Sequence, residues 1–536
     1  MPSSPATGRS ALPDEGESLD SSASRAEPSP SSSPLARRAF LESSAAALTG
    51  GVLATGMAPA LAEAQRQRAP YSLLIERLGQ RAEWKDLDLR LLRRITLGMT
   101  AADVTAVKAI GFDRYLEEQL NPDALDDSAA ETRIRTRYPQ FFFTQGELLA
   151  REDRYWQDVV GPANRAIVER AAFSRRQLKE RMTEFWADHF NIANAPPRLV
   201  DYRDVIQRHA LGNFGDMVRA SMRSPAMLIY LDQVWSTKWG VNENYARELM
   251  ELHTVGRDGG YTQQDVHEFA RVLTGWTIDA NRNFLYRADY HDFNAKTVMG
   301  MEFPARNPAG GTAGMDEAMQ FAEYLIRHPS TARFIATKLL RWFIRPDPTP
   351  AQVTAVAAAY ASTGGDIKAM LRVVLTRNQL ANAPAKLKRP FHYYVSALRT
   401  TSVTVDPWSN WGGSEGVGGA LWDLNHQHFQ WQTPDGYPDR AEYWAGLMVN
   451  RWNAMSSILG NWGQPGQYPR FTAVPWMGTT TATGVVAEIN RRMFGGEMTT
   501  ALATELTNWL QPAPTNQQRV QQAVYYATCS PEFQYY

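Results

Sequence analysis

Asp86-Leu87-Asp88-Leu89-Arg90-Leu91-Leu92-Arg93-Arg94-Ile95-Thr96-Leu97-Gly98-Met99-Thr100-Ala101-Ala102-Asp103 sets the pattern that the rest of the chain follows. Leu87, Leu91 and Ile95 recur every four residues with Leu92 beside them, which draws one apolar stripe along a helix; Gly98 stops it. Thr100 then offers an N-cap with an acid, Asp103, three positions on, so that each side chain satisfies the other's free backbone N–H. The helix so opened runs through Val104, Val107 and Ile110 to Gly111, and a further one over 112–120 ends at Pro122. Helical periodicity returns over 165–190, 201–222, 242–253, 263–273, 315–328, 331–344, 350–361, 366–376, 386–400, 439–459, 484–493 and 497–509. Alternating, strand-like runs are scarce, and 284–286 and 471–474 are the best of them. The expectation is a mostly α protein with few short strands. A large multi-helix domain spans 63–403, and a loop-rich, Trp-dense part with C-terminal helices (404–536) packs on it. Eight of the 16 Trp fall within 404–480.

Composition narrows the function classes. Of 536 residues 44% are hydrophobic and 21% charged, which is ordinary for a globular chain. Lys+Arg and Asp+Glu are 56 each, so the zero net charge gives no footing for a nucleic-acid partner. The single cysteine, Cys529, rules out an internal disulfide and any zinc or iron–sulfur site built on cysteines. Residues 1–62 read as a disordered leader with an export signal. The first 36 carry 11 Ser and 6 Pro without hydrophobic periodicity. Arg37-Arg38-Ala39-Phe40-Leu41 then matches the core of a twin-arginine signal, departing from it at Ala36 and Glu42. A mild apolar run leads to Ala60-Leu61-Ala62, a small-x-small cleavage pattern. The run is too rich in Gly, Ala and Thr to hold a membrane, so the expected product is periplasmic or extracellular, with no stable membrane span after cleavage.

Several segments carry a family resemblance. Leu91-Leu92-Arg93-Arg94-Ile95-Thr96-Leu97-Gly98, Phe185-Trp186-Ala187-Asp188-His189-Phe190 and Asn242-Glu243-Asn244-Tyr245-Ala246-Arg247-Glu248-Leu249-Met250-Glu251-Leu252-His253-Thr254 are the most telling. Asp258-Gly259-Gly260-Tyr261-Thr262, His291-Asp292, the 386–390 segment and Gly436-Tyr437-Pro438 extend them. Together they resemble the bacterial exported family known as domain of unknown function 1800, over roughly 87–534. The resemblance implies a largely helical exported fold, often encoded beside an exported sulfatase-like protein, and no established activity. The chain departs from the family's pattern at Asn425-His426-Gln427-His428, where a more apolar Gln-Pro pair is expected.

The 242–253 helix is the first candidate site. At about 100° per residue, Glu243, Arg247 and Glu251 form an i, i+4, i+8 row, with Tyr245, Leu249 and Leu252 opposite. Two readings follow. The row is a surface ion-pair ladder, or it is buried along a cleft where Arg247 positions Glu243 or Glu251 as an acid or base. His189 and His253 complete the catalytic set in the second reading. A divalent metal on His189, Glu248 and His253 is the cofactor alternative, weakened because residues 251 and 253 point about 200° apart on an ideal helix. The 254–265 loop imitates half a calcium loop, but Gly259-Gly260 as a turn and Thr262 with Asp265 as a capping pair explain it better. Trp408, Trp411, Trp422 and Trp431 sit among Ser, Asn, Gly and Gln and are candidates to stack on a polymer or sugar-like ligand. His291 and Asp292 join them as binding candidates on an irregular segment. Nucleophile elbow, phosphate loop, zincin and dinucleotide motifs are absent.

Two functions fit these residues. One is an extracytoplasmic hydrolase or lyase acting on a polymer by carboxylate acid–base chemistry. The other is a non-catalytic binding or assembly protein working with the exported sulfatase-like partner. Export itself is testable: replacing Arg37 and Arg38 by Lys should strand the precursor in the cytoplasm, measured by fractionation and immunoblot. Normal appearance of the double variant outside the cytoplasm would refute the twin-arginine reading.

Overall fold

Helix α1 (Leu87–Ile95) begins where Asp86 accepts from the N–H groups of Asp88 and Leu89, and α2 (Ala101–Ile110) begins at the Thr100–Asp103 capping box. The structure is a computed structural model that describes residues 84–151, 154, 156–193, 197–306, 312–403, 417–459 and 473–536. The leader over 1–62, Trp408 and Trp411 lie outside the described residues. Between α1 and α2 the chain turns at Gly98, whose φ is +143°; a Cβ there would stand 2.6 Å from the Ser396 Cα. The missing side chain lets the turn lie directly on a later helix.

The periodic 165–190 stretch is two helices, α3 (Gly161–Phe173) and α4 (Gln177–His189). Asp127 makes the break, taking hydrogen bonds from the Ser174 hydroxyl (2.8 Å) and the Arg175 N–H (2.7 Å). Likewise 201–222 divides, and only Phe214–Met222 (α5) is a regular helix in its second half. Next come α6 (Asn244–Glu248), which widens into a π turn over Leu249–His253, and α7 (Gln263–Leu273), opened by the Thr262–Asp265 capping box. Two antiparallel hairpins follow, β1 (Trp276–Ile278) with β2 (Phe284–Tyr286) and β3 (Lys296–Val298) with β4 (Met301–Phe303). These four are the strands among the described residues, so the fold is mostly α. The strand expected over 471–474 does not form in its described portion, where Val474–Trp476 is a 3₁₀ turn with Pro475 at its centre.

Helices α8 (Ala313–Arg327), α9 (Pro329–Phe343) and α10 (Pro350–Thr363) stack in sequence, α10 again starting from a capping box, Thr349 with Gln352. Beyond them lie α11 (Pro390–Thr401), α12 (Met448–Leu459) and α13 (Gln517–Cys529). One apolar core draws on residues from Leu89 to Ala383, including Trp186, Phe214, Tyr245 and Leu339. A second interleaves α3 with α11, α12 and α13, so residues near 97–202 and 391–533 bury one another. Among the described residues of the Trp-dense stretch, Val417–Asp423 and Ala441–Trp444 are helical besides α12.

A buried ionic network ties these layers. The Arg389 guanidinium donates to Asp188 Oδ2 (2.5 Å) and Glu184 Oε1 (2.8 Å), while Arg181 reaches the other Glu184 oxygen at 3.0 Å. Both guanidinium groups lie over the Trp342 ring, at 4.6 and 4.7 Å from its centre. Removing one partner of such a group leaves buried charge uncompensated. Arg389→Ala should therefore cost about 3–5 kcal/mol in denaturant unfolding. A loss under about 1 kcal/mol would show the network to be dispensable.

Candidate acid–base site

The π turn decides which carboxylates face one another. Over Leu249–His253 the chain advances by less than the α-helical angle per residue, and the row expected from 100° steps breaks there. Glu243 keeps Arg247 (3.0 Å) and gains Gln263 (2.7 Å) and His267 (3.0 Å), all on one half-exposed face. Glu251 is paired instead with Arg257, 3.6 Å away on an exposed loop. The Glu243 and Arg247 side chains keep 31% and 25% of their exposure, so their pair is screened by water and adds little to stability. Of the two readings of the row, the buried one is not formed: the Glu243–Arg247 pair is a partly exposed ion pair, as the surface reading expects, and Glu251 does not continue it.

Glu248, half-buried on the turn between them, takes its place. Burial, then the neighbouring charges of Glu251 and Asp435, push its carboxyl up to about 7. Asp435 is fixed by the Trp431 indole N–H (2.9 Å) and the Thr433 hydroxyl (2.5 Å). That loop is itself held down: Asn191 donates to the carbonyls of Trp431 (2.9 Å) and Thr433 (2.8 Å), and Tyr230 to that of Gln432. Gly436 completes the contact, with φ of +75° and its Cα so near Asp188 that a Cβ would lie 2.1 Å from the Asp188 carbonyl oxygen. No larger residue fits.

His189 and His253 lie beneath. His189 closes α4 among Trp186, Phe190 and Phe214, with its ring 6.1 Å from that of His253. Its Nε2 donates to the His253 carbonyl (3.0 Å) and its Nδ1 accepts from the Lys338 ammonium (2.9 Å), which fixes the neutral tautomer. Burial, and then the Lys338 charge, hold His189 well below its usual range. Burial also brings Lys338 down to about 8, against the pull of Asp188 and Asp435. Both nitrogens of His189 are thus in use. Among the described residues no group of three His, Cys, Asp or Glu side chains is arranged to hold a metal, so His189, Glu248 and His253 do not form the expected metal set. His253 is fully buried with both ring nitrogens unpartnered, and burial lowers it to about 3.

The other candidates fall elsewhere. The His291 Nδ1 bonds the Thr274 carbonyl (2.8 Å), its Nε2 faces the buried Glu317 at 3.6 Å, and Asp292 pairs with Arg271 at 2.7 Å. These contacts tie the segment between the two hairpins to the end of α7. His426 accepts from the Phe391 N–H and stacks on Trp444. Trp422 is 62% exposed, as expected, whereas Trp431 packs on Tyr437 and Tyr443. Among the described residues the most exposed tryptophans are two outside the sequence candidates, Trp235 (76%) and Trp239 (71%). They stand on a turn immediately before α6, pinned by the Lys238 N–H to the Tyr290 carbonyl. Lys338 was missed as well. Its signal is that Thr331, Ile335, Lys338 and Trp342 share one stripe of α9, which sets a lysine in a row of otherwise inward-facing residues.

The raised Glu248 carboxyl has a consequence for stability. The folded chain keeps a proton that the unfolded chain releases above about pH 4.5, so this contribution is complete below that pH and is lost as pH rises through about 7. Glu248→Gln is neutral throughout. Its melting temperature should gain on wild type between about pH 4.5 and 8; a difference that stays flat with pH would place Glu248 in water.

A family model described as protein of unknown function (DUF1800) matches residues 90–535. No curated protein and no solved structure matches the chain. The segments that meet at Glu248, Asp188, His189 and Gly436 all lie inside that span. The chain belongs to the DUF1800 family.

Proposed function

We propose that this protein is an exported enzyme that cleaves an extracytoplasmic polymer, by hydrolysis or elimination, with Glu248 as the proton donor. The observation that carries the reading is a carboxyl pushed up to about 7 beside two further carboxyls, Glu251 and Asp435, the second of which also faces the Lys338 charge. Paired carboxyl groups whose environments push them apart divide the acid and base roles between them. Glu248 gives its proton to the leaving oxygen, and Glu251 or Asp435 takes one from water or from substrate carbon. Lys338, fixed on His189, steadies negative charge that develops between them. Glu243 and Arg247, the first choices from sequence, pair with each other beside this site, and the Arg247 charge moderates the rise of the Glu248 carboxyl.

The exposed tryptophans support a long ligand. Trp235 and Trp239 stand just ahead of α6, and an exposed indole on a fixed turn offers a flat apolar face to a sugar ring at low entropy cost. The same observation favours the second reading, a binding or assembly protein that holds polymer for an exported sulfatase-like partner. One experiment separates them. The purified exported protein is incubated with peptidoglycan and with soluble acidic and neutral polysaccharides, and new chain ends are counted. In the enzyme reading wild type releases ends, with a rate that falls above about pH 7 as Glu248 loses its proton. Glu248→Gln keeps its fold and loses about 10²–10⁴-fold in rate. Binding without release of ends, equal in wild type and Glu248→Gln, would overturn the enzyme reading in favour of the second.

A further inference from the structure

A groove of about 610 Å³ opens on the other half of α9 and shares no lining residue with the acid–base cluster. Four helices bound it: the start of α5, the end of α8, the start of α9 and the second half of α10. Its apolar lining includes Ile326, Ala332, Ala357 and Tyr360, and the Tyr360 hydroxyl is used up on the Ile326 carbonyl at 2.7 Å. Alanines on α10 keep the space open, since any longer side chain at 357, 358 or 361 would enter it. One end is braced by the Asn213 amide, which donates to the Gly364 carbonyl at 2.9 Å. The volume is that of a small-molecule site and too little for a folded partner.

The rim carries three arginines against two acids. Arg219 is committed, to Asp216 at 2.8 Å and to Glu323 at 2.5 Å. Arg327 has only a long contact to the same Glu323, at 3.7 Å. Arg333 is exposed and has no ion-pair partner among the described residues. One positive charge is therefore left over beside an apolar trough. We infer that this groove binds a free small amphiphile with an aliphatic body and a single anionic head, the body lying along α10 and the head at Arg333 and Arg327. The complement is specific in sign. A cationic head of the same length would meet the uncompensated arginine.

The full exported chain can be titrated calorimetrically with sodium decanoate and, separately, with decyltrimethylammonium bromide, both below their micelle concentrations. Decanoate should bind at one site per chain and the cation at least about tenfold more weakly. Ala361→Trp, which fills the groove from an exposed position, should abolish decanoate binding, and Arg333→Glu should weaken it by about tenfold or more. Both variants should melt as wild type does, because both residues are exposed on helix surfaces. Three results would each overturn the inference. They are no heat from decanoate up to about 1 mM, equal binding of the cationic amphiphile, and decanoate binding that survives Ala361→Trp. Capture by phosphatidylglycerol vesicles without binding of free decanoate would likewise replace it with a membrane-surface role.

Discussion

The hydrogen bonds from Arg389 to Glu184 and Asp188 set the position of nearly everything that bears on chemistry. The two acids sit one turn apart on α4, and a single planar guanidinium spans them from the start of α11. That fork fixes the angle and height of α4's last turn, and the next residue is His189. It also exposes the Asp188 carbonyl to Gly436, so the loop carrying Asp435 comes down in one place. The network is costly to bury. Asp188 is pushed up to about 6 by its surroundings even with an arginine at 2.5 Å. Burial on that scale offsets much of the Coulombic gain, so the network's value is in selecting one arrangement of α4, α11 and the 430–438 loop over its neighbours.

The π turn after α6 is the second constraint, and it follows from the first. The turn ends at His253, whose carbonyl must meet the His189 Nε2. A regular helix would carry that carbonyl to a different height, and the inserted residue absorbs the mismatch. Thr254 and Gly256 then satisfy the carbonyls of Leu249 and Met250, so the irregular end leaves no loose acceptor at those positions.

Much of this architecture was legible in the sequence. Periodicity located α7, α8 and α9 to within two residues, and the capping boxes at Thr100 and Thr262 were readable from two residue types three positions apart. What periodicity could not reveal were features set by contacts distant in sequence. The break at Ser174 depends on Asp127, and the splitting of 242–253 depends on His189. For the candidate site, the helix singled out from the sequence carries Glu248, which lies off the Glu243–Arg247–Glu251 row. Angles of 100° per residue placed Glu251 beside Arg247, and one wide turn was enough to undo that. Lys338 and Asp435 belong to the site only through tertiary contacts, and neither carries a local motif of its own.

Arg247's choice of partner determines the charge of the cluster. On an unbroken α-helix it would lie between Glu243 and Glu251 and compensate both, leaving Glu248 with only a distant neighbour to repel it. In the folded chain Arg247 is held by Glu243, which Gln263 and His267 also grip, and Arg257 reaches Glu251 only at 3.6 Å from an exposed loop. Glu248 has no ion-pair partner among the described residues, while Lys338 directs a proton to His189. A half-buried carboxyl beside other carboxylates lowers its free energy by keeping a proton, and Glu248 is the one so placed. Glu248's carboxyl is raised first by burial and then by the charges of Glu251 and Asp435, against the opposing pull of Arg247. The same arrangement that makes this corner electrostatically unfavourable is the one on which the proposed acid–base role of Glu248 rests.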